Sequence, residues 1–172
     1  MFSVDTLHSS INFSIKHMMI TKINGTFDSF SAQIEADEIE TLKNASIRFD
    51  LDVASINTRD TSRDHHLISA DFFDTDVFPK ITFIQKSIEG GFNQFKLHGY
   101  LTIKNVTKPI TFDVSYTGHV KSPWGLDAYG FTCTTVINRK DFNLTYNAAL
   151  ETGGFIIDEL VTINVELQLN VL

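Results

Sequence analysis

Only one cysteine, Cys133, stands in this chain of 172 residues. A lone thiol forms no internal disulfide and excludes a multi-cysteine zinc site. It fits a reducing compartment. Proline is almost as scarce, at three residues, and all three are expected at strand boundaries, where a missing N–H costs least. Lys and Arg together number 14 against 21 Asp and Glu, a formal charge of −7. That balance argues against a nucleic-acid binder, whose affinity comes from cations facing phosphates. It also supplies no basic patch for an anionic membrane surface. No run of about 18 apolar residues exists to cross a bilayer as a helix. The opening "MFSVDTLHSSINF" has no charged start leading into an apolar run, so no signal peptide is expected and a cytoplasmic setting is. No Walker loop, dinucleotide fingerprint or G-x-S-x-G elbow occurs.

What the chain does have is phenylalanine: 15 Phe against four Tyr and one Trp, within 42% apolar residues. Most of that aromatic mass carries no polar handle and suits a dry interior. The dominant period is two. In "SINFSIKH", Ile11, Phe13, Ile15 and His17 share one face and Asn12, Ser14 and Lys16 the other, which predicts a half-buried strand. "ASIRFDLDVAS" places Ala45, Ile47, Phe49, Leu51 and Val53 inside. "ITFDVSY" does so for Ile110, Phe112, Val114 and Tyr116. "LVTINVELQLNV" does so for the odd positions from Val161 to Val171. Further strands are expected near 23–35, 81–88, 93–104 and 127–138. Turn signals lie at 89–93, 104–109, 122–127 and 152–155. One or two short helices are expected, the candidates being one or two turns in "ADEIETLKN" with Asp37 as a cap and a short helix from about Thr61. The sum is an all-β single domain over residues 1–172: about eight long antiparallel strands, which lose their exposed edges by closing into a barrel. Eight strands make an interior just wide enough to be filled by side chains or to hold one small ligand.

The stretch "RDHHLISADFFDTDVFP" at 63–79 is the densest in chemistry. His65 and His66 are adjacent, so on a helix they diverge by roughly 100° and do not form a ligand pair. No metal or cofactor is expected. Cys133, in alternation with Tyr129 and Phe131, reads as a core thiol rather than a nucleophile. Asp74 and Asp76, just before Pro79, read as solvated or turn-capping carboxylates rather than a hydrolytic pair. Leu67, Ile68, Phe72, Phe73, Val77 and Phe78 must be buried somewhere. They form either a plug that completes a filled barrel or a lid over an apolar cavity. Periodicity alone leaves both open.

Six segments carry a resemblance: "DTLHSSINFSIKH", "GTFDSFSAQIE", "DLDVASINTRDTSRDHHLISADFFDTDVFPKITF", "GYLTIKNVTKPITFDV", "TTVINRKDFNL" and "DELVTINVELQL". In this order, over nearly the whole chain, they resemble the YceI-like proteins. The doubled histidine departs from the family pattern, in which a single histidine at the second position is more usual. The resemblance implies a lipocalin-like, extended barrel around an apolar channel. It further implies non-catalytic binding of a polyisoprenoid or another long amphipathic ligand such as a fatty acid or amide. It implies homodimers and a secreted or periplasmic setting as well; the missing leader favours the cytoplasm instead. Phe13, Ile15, Phe27, Phe49, Leu51, Phe83, Leu97, Phe112 and Phe131 are the candidates to line the channel. Leu67, Phe72 and Phe73 would close it. His17, Arg63, Asp64, His66, Asn138 and Arg139 are the polar candidates at its mouth. They would either meet a head group or pin the lid to the barrel. Two other classes remain: an enzyme acting on an isoprenoid or lipid with His17 and His66 as acid–base groups, and a filled barrel that binds a protein partner.

Overall fold

The computed structural model describes residues 1–147 and 156–172; the turn expected at 152–155 lies outside them. Eleven strands follow in chain order: β1 (Phe2–Val4), β2 (Ser10–His17), β3 (Thr21–Phe27), β4 (Phe30–Glu35), β5 (Ser46–Asp52), β6 (Ile56–Asn57), β7 (Lys80–Gly90), β8 (Gln94–Ile103), β9 (Val106–Lys121), β10 (Asp127–Asn138) and β11 (Ile157–Val171). One α-helix, α1 (Thr61–Ile68), sits between β6 and β7. All pairings are antiparallel, and the β1–β11 pairing closes the sheet on itself. The result is a closed eight-stranded barrel, more finely divided than the alternation suggests because three of its staves are broken. β1 and β2 both lie along β11, β4 and β3 continue them on the next stave, and β5 and β6 make the third. The expected strand at 23–35 is therefore two, interrupted at Asp28 and Ser29.

Inward and outward positions follow the two-residue period. Ile47, Leu51, Phe112, Val114, Leu167 and Leu169 are all buried. Val171, expected inside, is 43% exposed, because it is the last residue of β11 and lies beyond the buried layer at Leu169. Pro109 also departs from expectation. It lies within β9, opposite Tyr100 of β8. β10 joins β9 only from Asp113 onward, so Pro109 occupies a stretch of β9 that is unpaired on one side and its missing N–H interrupts nothing there.

The segment "ADEIETLKN" is not a helix. It is a run of turns closed by a Glu38–Lys43 bridge, with Leu42 and Asn44 at positive φ. The irregular path turns Ile39 and Leu42 into the barrel end as a plug, and burying them there outweighs the local helical preference. Asp37 accepts from the Asn44 side chain at 2.7 Å instead of capping a helix. The second expected helix forms. Asp60 caps it by accepting from the Arg63 N–H at 3.1 Å, and Ser69 ends it.

Two positions yield direct tests. Phe13 lies across from Gly25, and its ring covers the space where a Cβ would stand. Gly25→Ala should therefore displace that ring and lower folding stability by about 1–3 kcal/mol, read by urea denaturation; shortening the ring in Gly25→Ala/Phe13→Leu should recover part of the loss. Cys133 is buried, and desolvation pushes its thiol up to about 12. Alkylation at pH 8 should run about a thousandfold slower than for a free thiol, rise with pH toward 12, and become fast only in denaturant. Rapid labelling of the folded chain at pH 8 would contradict the core assignment.

Candidate functional site

The inward faces do not meet in the middle. They enclose a cavity of about 440 Å³, within the range of roughly 300–1,000 Å³ typical of ligand pockets. Its wall runs along β11 from Ile157 to Leu169. At ~3.3 Å per residue and a tilt of 35–45°, that is roughly 30 Å of barrel height. The space is a tunnel rather than a pit. Phe13, Ile15, Ile163 and Val165 point inward yet stay only partly buried, because part of their surface is tunnel wall.

Most of the sequence candidates converge on this space. β2 contributes Phe13, Ile15 and His17, and β3 contributes Phe27. Phe49 and Leu51 come from β5, Phe83 from β7 and Leu97 from β8. Phe112 of β9 and Phe131 of β10 complete the aromatic wall. Phe13 tilts against Phe27 at 5.5 Å, and Phe83 meets Phe112 edge-on at 5.4 Å. These contacts fix the rings to one another instead of letting them fill the void.

One end is closed by α1 and the loop that follows it. Arg63, His66 and Leu67 of the helix and Phe72 and Phe73 of the loop all reach the tunnel. Phe72 is buried, and Phe73 meets Phe27 edge-on at 6.1 Å. The loop folds back on its helix through Phe73 N–H to Leu67 O and Thr75 N–H to Ile68 O, both 3.0 Å. His66 packs edge-on against Phe72 and Tyr146 while its Nε2 lies 2.8 Å from Asp71. His65 is exposed and lines nothing.

Two of the polar candidates stand off the wall. Asp64 turns to Thr58, accepting from its N–H at 2.9 Å and its hydroxyl at 2.6 Å. Arg63 grips the same residue, donating to Thr58 Oγ1 and to its carbonyl, both at 2.8 Å. Thr58, 3% exposed, is thus fully satisfied and pins α1 to the end of β6. Arg63 and Asp64 therefore meet at Thr58 rather than in the expected direct Arg–Asp pair. Asn138 caps the 3₁₀ turn at Arg139–Phe142 by accepting from the Lys140 N–H at 3.0 Å. Its amide also donates to Glu159 at 3.4 Å. Arg139 does reach the tunnel and is 3% exposed. Its Nε donates to Asp158 O at 2.8 Å and its Nη1 to Leu144 O, while Nη2 is buried with no partner among the described residues. Burial lowers the affinity of this guanidinium for its proton, and the nearby Glu159 and Asp158 partly restore it.

Sequence reasoning missed Tyr146, Leu144 and Ile156, which line the same end from the irregular stretch between β10 and β11. No period operates there, so no signal marked them. It also missed Thr58, whose importance appears only once two neighbours close on it. Among the described residues, no cluster of three His, Cys, Asp or Glu side chains could hold a metal.

This barrel is one already seen in other proteins. A family model described as the YceI-like domain matches residues 2–169. A UPF0312 protein of Staphylococcus aureus (strain MSSA476) is 43% identical over 159 residues, covering 91% of this chain and 89% of its own. The crystal structure of BcnA from Burkholderia cenocepacia superposes with a TM-score of 0.82 at 26% identity, covering 96% of this chain and 98% of that one. A Campylobacter jejuni YceI protein gives 0.78 at 31% identity, over 92% and 90%. A polyisoprenoid binding domain from Saccharophagus degradans shares the fold at a TM-score of 0.72 and 16% identity, over 99% and 98%. With the family model spanning all but the extreme ends of the sequence, the chain belongs to the YceI-like family.

Proposed function

We propose that this barrel binds one long-chain amphipathic lipid, of the polyisoprenoid class, along its tunnel, and that it carries or stores the lipid without chemically changing it. The observation that carries this reading is the shape of the void: a tunnel of about 440 Å³ walled almost wholly by hydrocarbon, with its arginine and histidine side chains gathered at the lid end. A chain of methylenes and isoprene units fits such a wall without needing a partner for any polar group. The polyisoprenoid binding of the Saccharophagus domain, which has the same fold, supports the choice of ligand class.

Affinity is not in short supply. Each five-carbon unit buried contributes about 4 kcal/mol gross at ~0.8 kcal/mol per methylene. Eight units would exceed the practical ceiling of roughly 18–21 kcal/mol. Ordering the flexible chain consumes the difference, so the tunnel selects for length and apolarity. Entry then requires the lid to move, and the lid is the element held by few backbone bonds to the barrel.

The test is native mass spectrometry of gently purified protein, followed by organic extraction. A stoichiometric long-chain lipid is the expected result; protein that is empty and refuses added prenols and fatty acids would overturn the reading. Phe72→Ala and Phe73→Ala should each speed lipid loss at least tenfold, whereas His65→Ala should leave it unchanged. The reverse ranking would mean that the lid does not retain the ligand.

A further inference from the structure

Resting on the lipid-binding reading, we infer that the occupant carries an anionic head group, a long-chain carboxylate or a prenyl phosphate, seated against Arg139 and Arg63 at the lid end of the tunnel. Three observations lead there. First, Arg139 is a buried cation with a buried donor to spare. Of its five N–H groups, the bonds to Asp158 O and Leu144 O use one each on Nε and Nη1, and Nη2 has no partner among the described residues. A donor left in that state costs the full desolvation of the group. An acceptor supplied from the tunnel removes the cost.

Second, among the described residues no carboxylate lies in ion-pair contact with Arg139, although Glu159 and Asp158 act on it from farther away. Among the described residues neither Arg139 nor Arg63 forms an ion pair with a carboxylate. The Glu159 carboxylate is engaged by Lys140 at 2.7 Å and by Asn138. Asp158 presents its carbonyl to Arg139, and its carboxylate accepts from the Glu159 N–H at 2.7 Å. Arg63 is held by Thr58 through neutral oxygens.

Third, the sign of the tunnel opposes that of the chain. Acidic residues outnumber Lys and Arg by 21 to 14 overall. Yet the tunnel wall contains Arg63, Arg139, His17 and His66 and, among the described residues, no Asp or Glu at all. A neutral alcohol or amide oxygen could accept from the spare donor but would leave both guanidinium charges without a counter-charge. A guanidinium matched to a carboxylate or phosphate makes a charge-assisted, two-pronged contact.

The experiment uses the delipidated full-length chain and three sets of ligands matched in chain length: palmitate, palmityl alcohol and palmitamide; geranylgeranyl phosphate and geranylgeraniol; and inorganic phosphate alone. Kd is measured by calorimetry or by displacement of a fluorescent fatty probe. The anionic member of a set should bind at least tenfold tighter than its neutral partners, and inorganic phosphate alone should not bind measurably. The set with the larger ratio tells carboxylate from phosphate. Arg139→Gln should abolish the preference by weakening the anion at least tenfold while changing the alcohol less than threefold. Arg139→Lys should keep part of it. Because Arg139 also supports the carbonyls of Asp158 and Leu144, Arg63→Gln serves as an independent variant with the same expected direction. Equal binding of anion and alcohol by the unmodified protein would overturn the head-group inference and leave the lipid reading standing. Failure of every long chain to bind would overturn both.

Discussion

The structure depends on the closure made by β11. That strand hydrogen-bonds to β10 on one edge over eleven residue pairs and to β1 and β2 on the other. Without the second edge, a strand of 15 residues would expose a full row of unpaired backbone groups. Closure has a weak point where β1 gives way to β2, and side chains repair it. Asp5 N–H donates to Gln168 O at 2.9 Å, and Ser9 Oγ accepts from Gln168 N–H at 2.9 Å. The Asp5 carboxylate also accepts from the Gln168 side chain and from the N–H groups of Leu7 and His8. His8 beside it holds that carboxyl below the ordinary range. At the break in the stave both backbone groups of Gln168 are therefore satisfied, and the ring stays shut where its ladder is interrupted.

A shut ring is what allows the interior to be hollow. On the scale found for cavities made by truncating core side chains, roughly 24 cal/mol per Å³, a void of 440 Å³ corresponds to about 10 kcal/mol of packing not made. That is comparable with the whole net stability of a domain, ~5–15 kcal/mol. A helical bundle with such a deficit would slide inward. Here the wall is a hydrogen-bonded cylinder, and shrinking it would break ladder bonds all around. The plug of Ile39 and Leu42 at one end and the lid at the other bound the void, while the tight layer of Ile34, Val114 and Leu169 anchors it. An occupant then contributes to stability by supplying the contacts that the fold withholds.

Alternation in the sequence carried the barrel because in a barrel the two faces of every strand are inside and outside, with no third choice. "SINFSIKH" and "LVTINVELQLNV" therefore mapped directly onto the wall. The breaks did not show. Asp28 and Ser29 look no different from other polar residues, and what interrupts β3 and β4 there is the change of partner from β2 to β1. The segment at 36–45 has a helical composition, yet Ile39 and Leu42 are drawn into the barrel end, so tertiary burial overrode local preference. Whether the interior is filled was also illegible, since the same inward residues serve either case; the void is decided by how wide the ring closes. At the lid, polar residues were legible as a group but not one by one. Asp64 and Arg63 are adjacent in sequence, both hold Thr58, and only Arg63 also reaches the tunnel.

The division of labour between wall and lid end follows from how weakly hydrocarbon discriminates. One methylene more or less in an apolar pocket is worth about 1–3 kcal/mol, and such a pocket rejects analogues poorly. A buried polar group that must find its partner rejects those lacking it by factors of about 10⁴ to 10⁵. On the lipid-binding reading proposed above, the tunnel walls would set how long a chain is held and would admit many chains. Identity has to come from the few side chains that water cannot satisfy, and among these Arg139 is the most deeply buried. Its placement on a 3₁₀ turn directly after β10, braced by carbonyls of the described residues on two sides, fixes it to the barrel rather than to the lid. On the reading proposed above, the head group would meet one arginine fixed to the barrel, Arg139, and one carried by the lid helix, Arg63, so that opening the lid would loosen the head without dismantling its site.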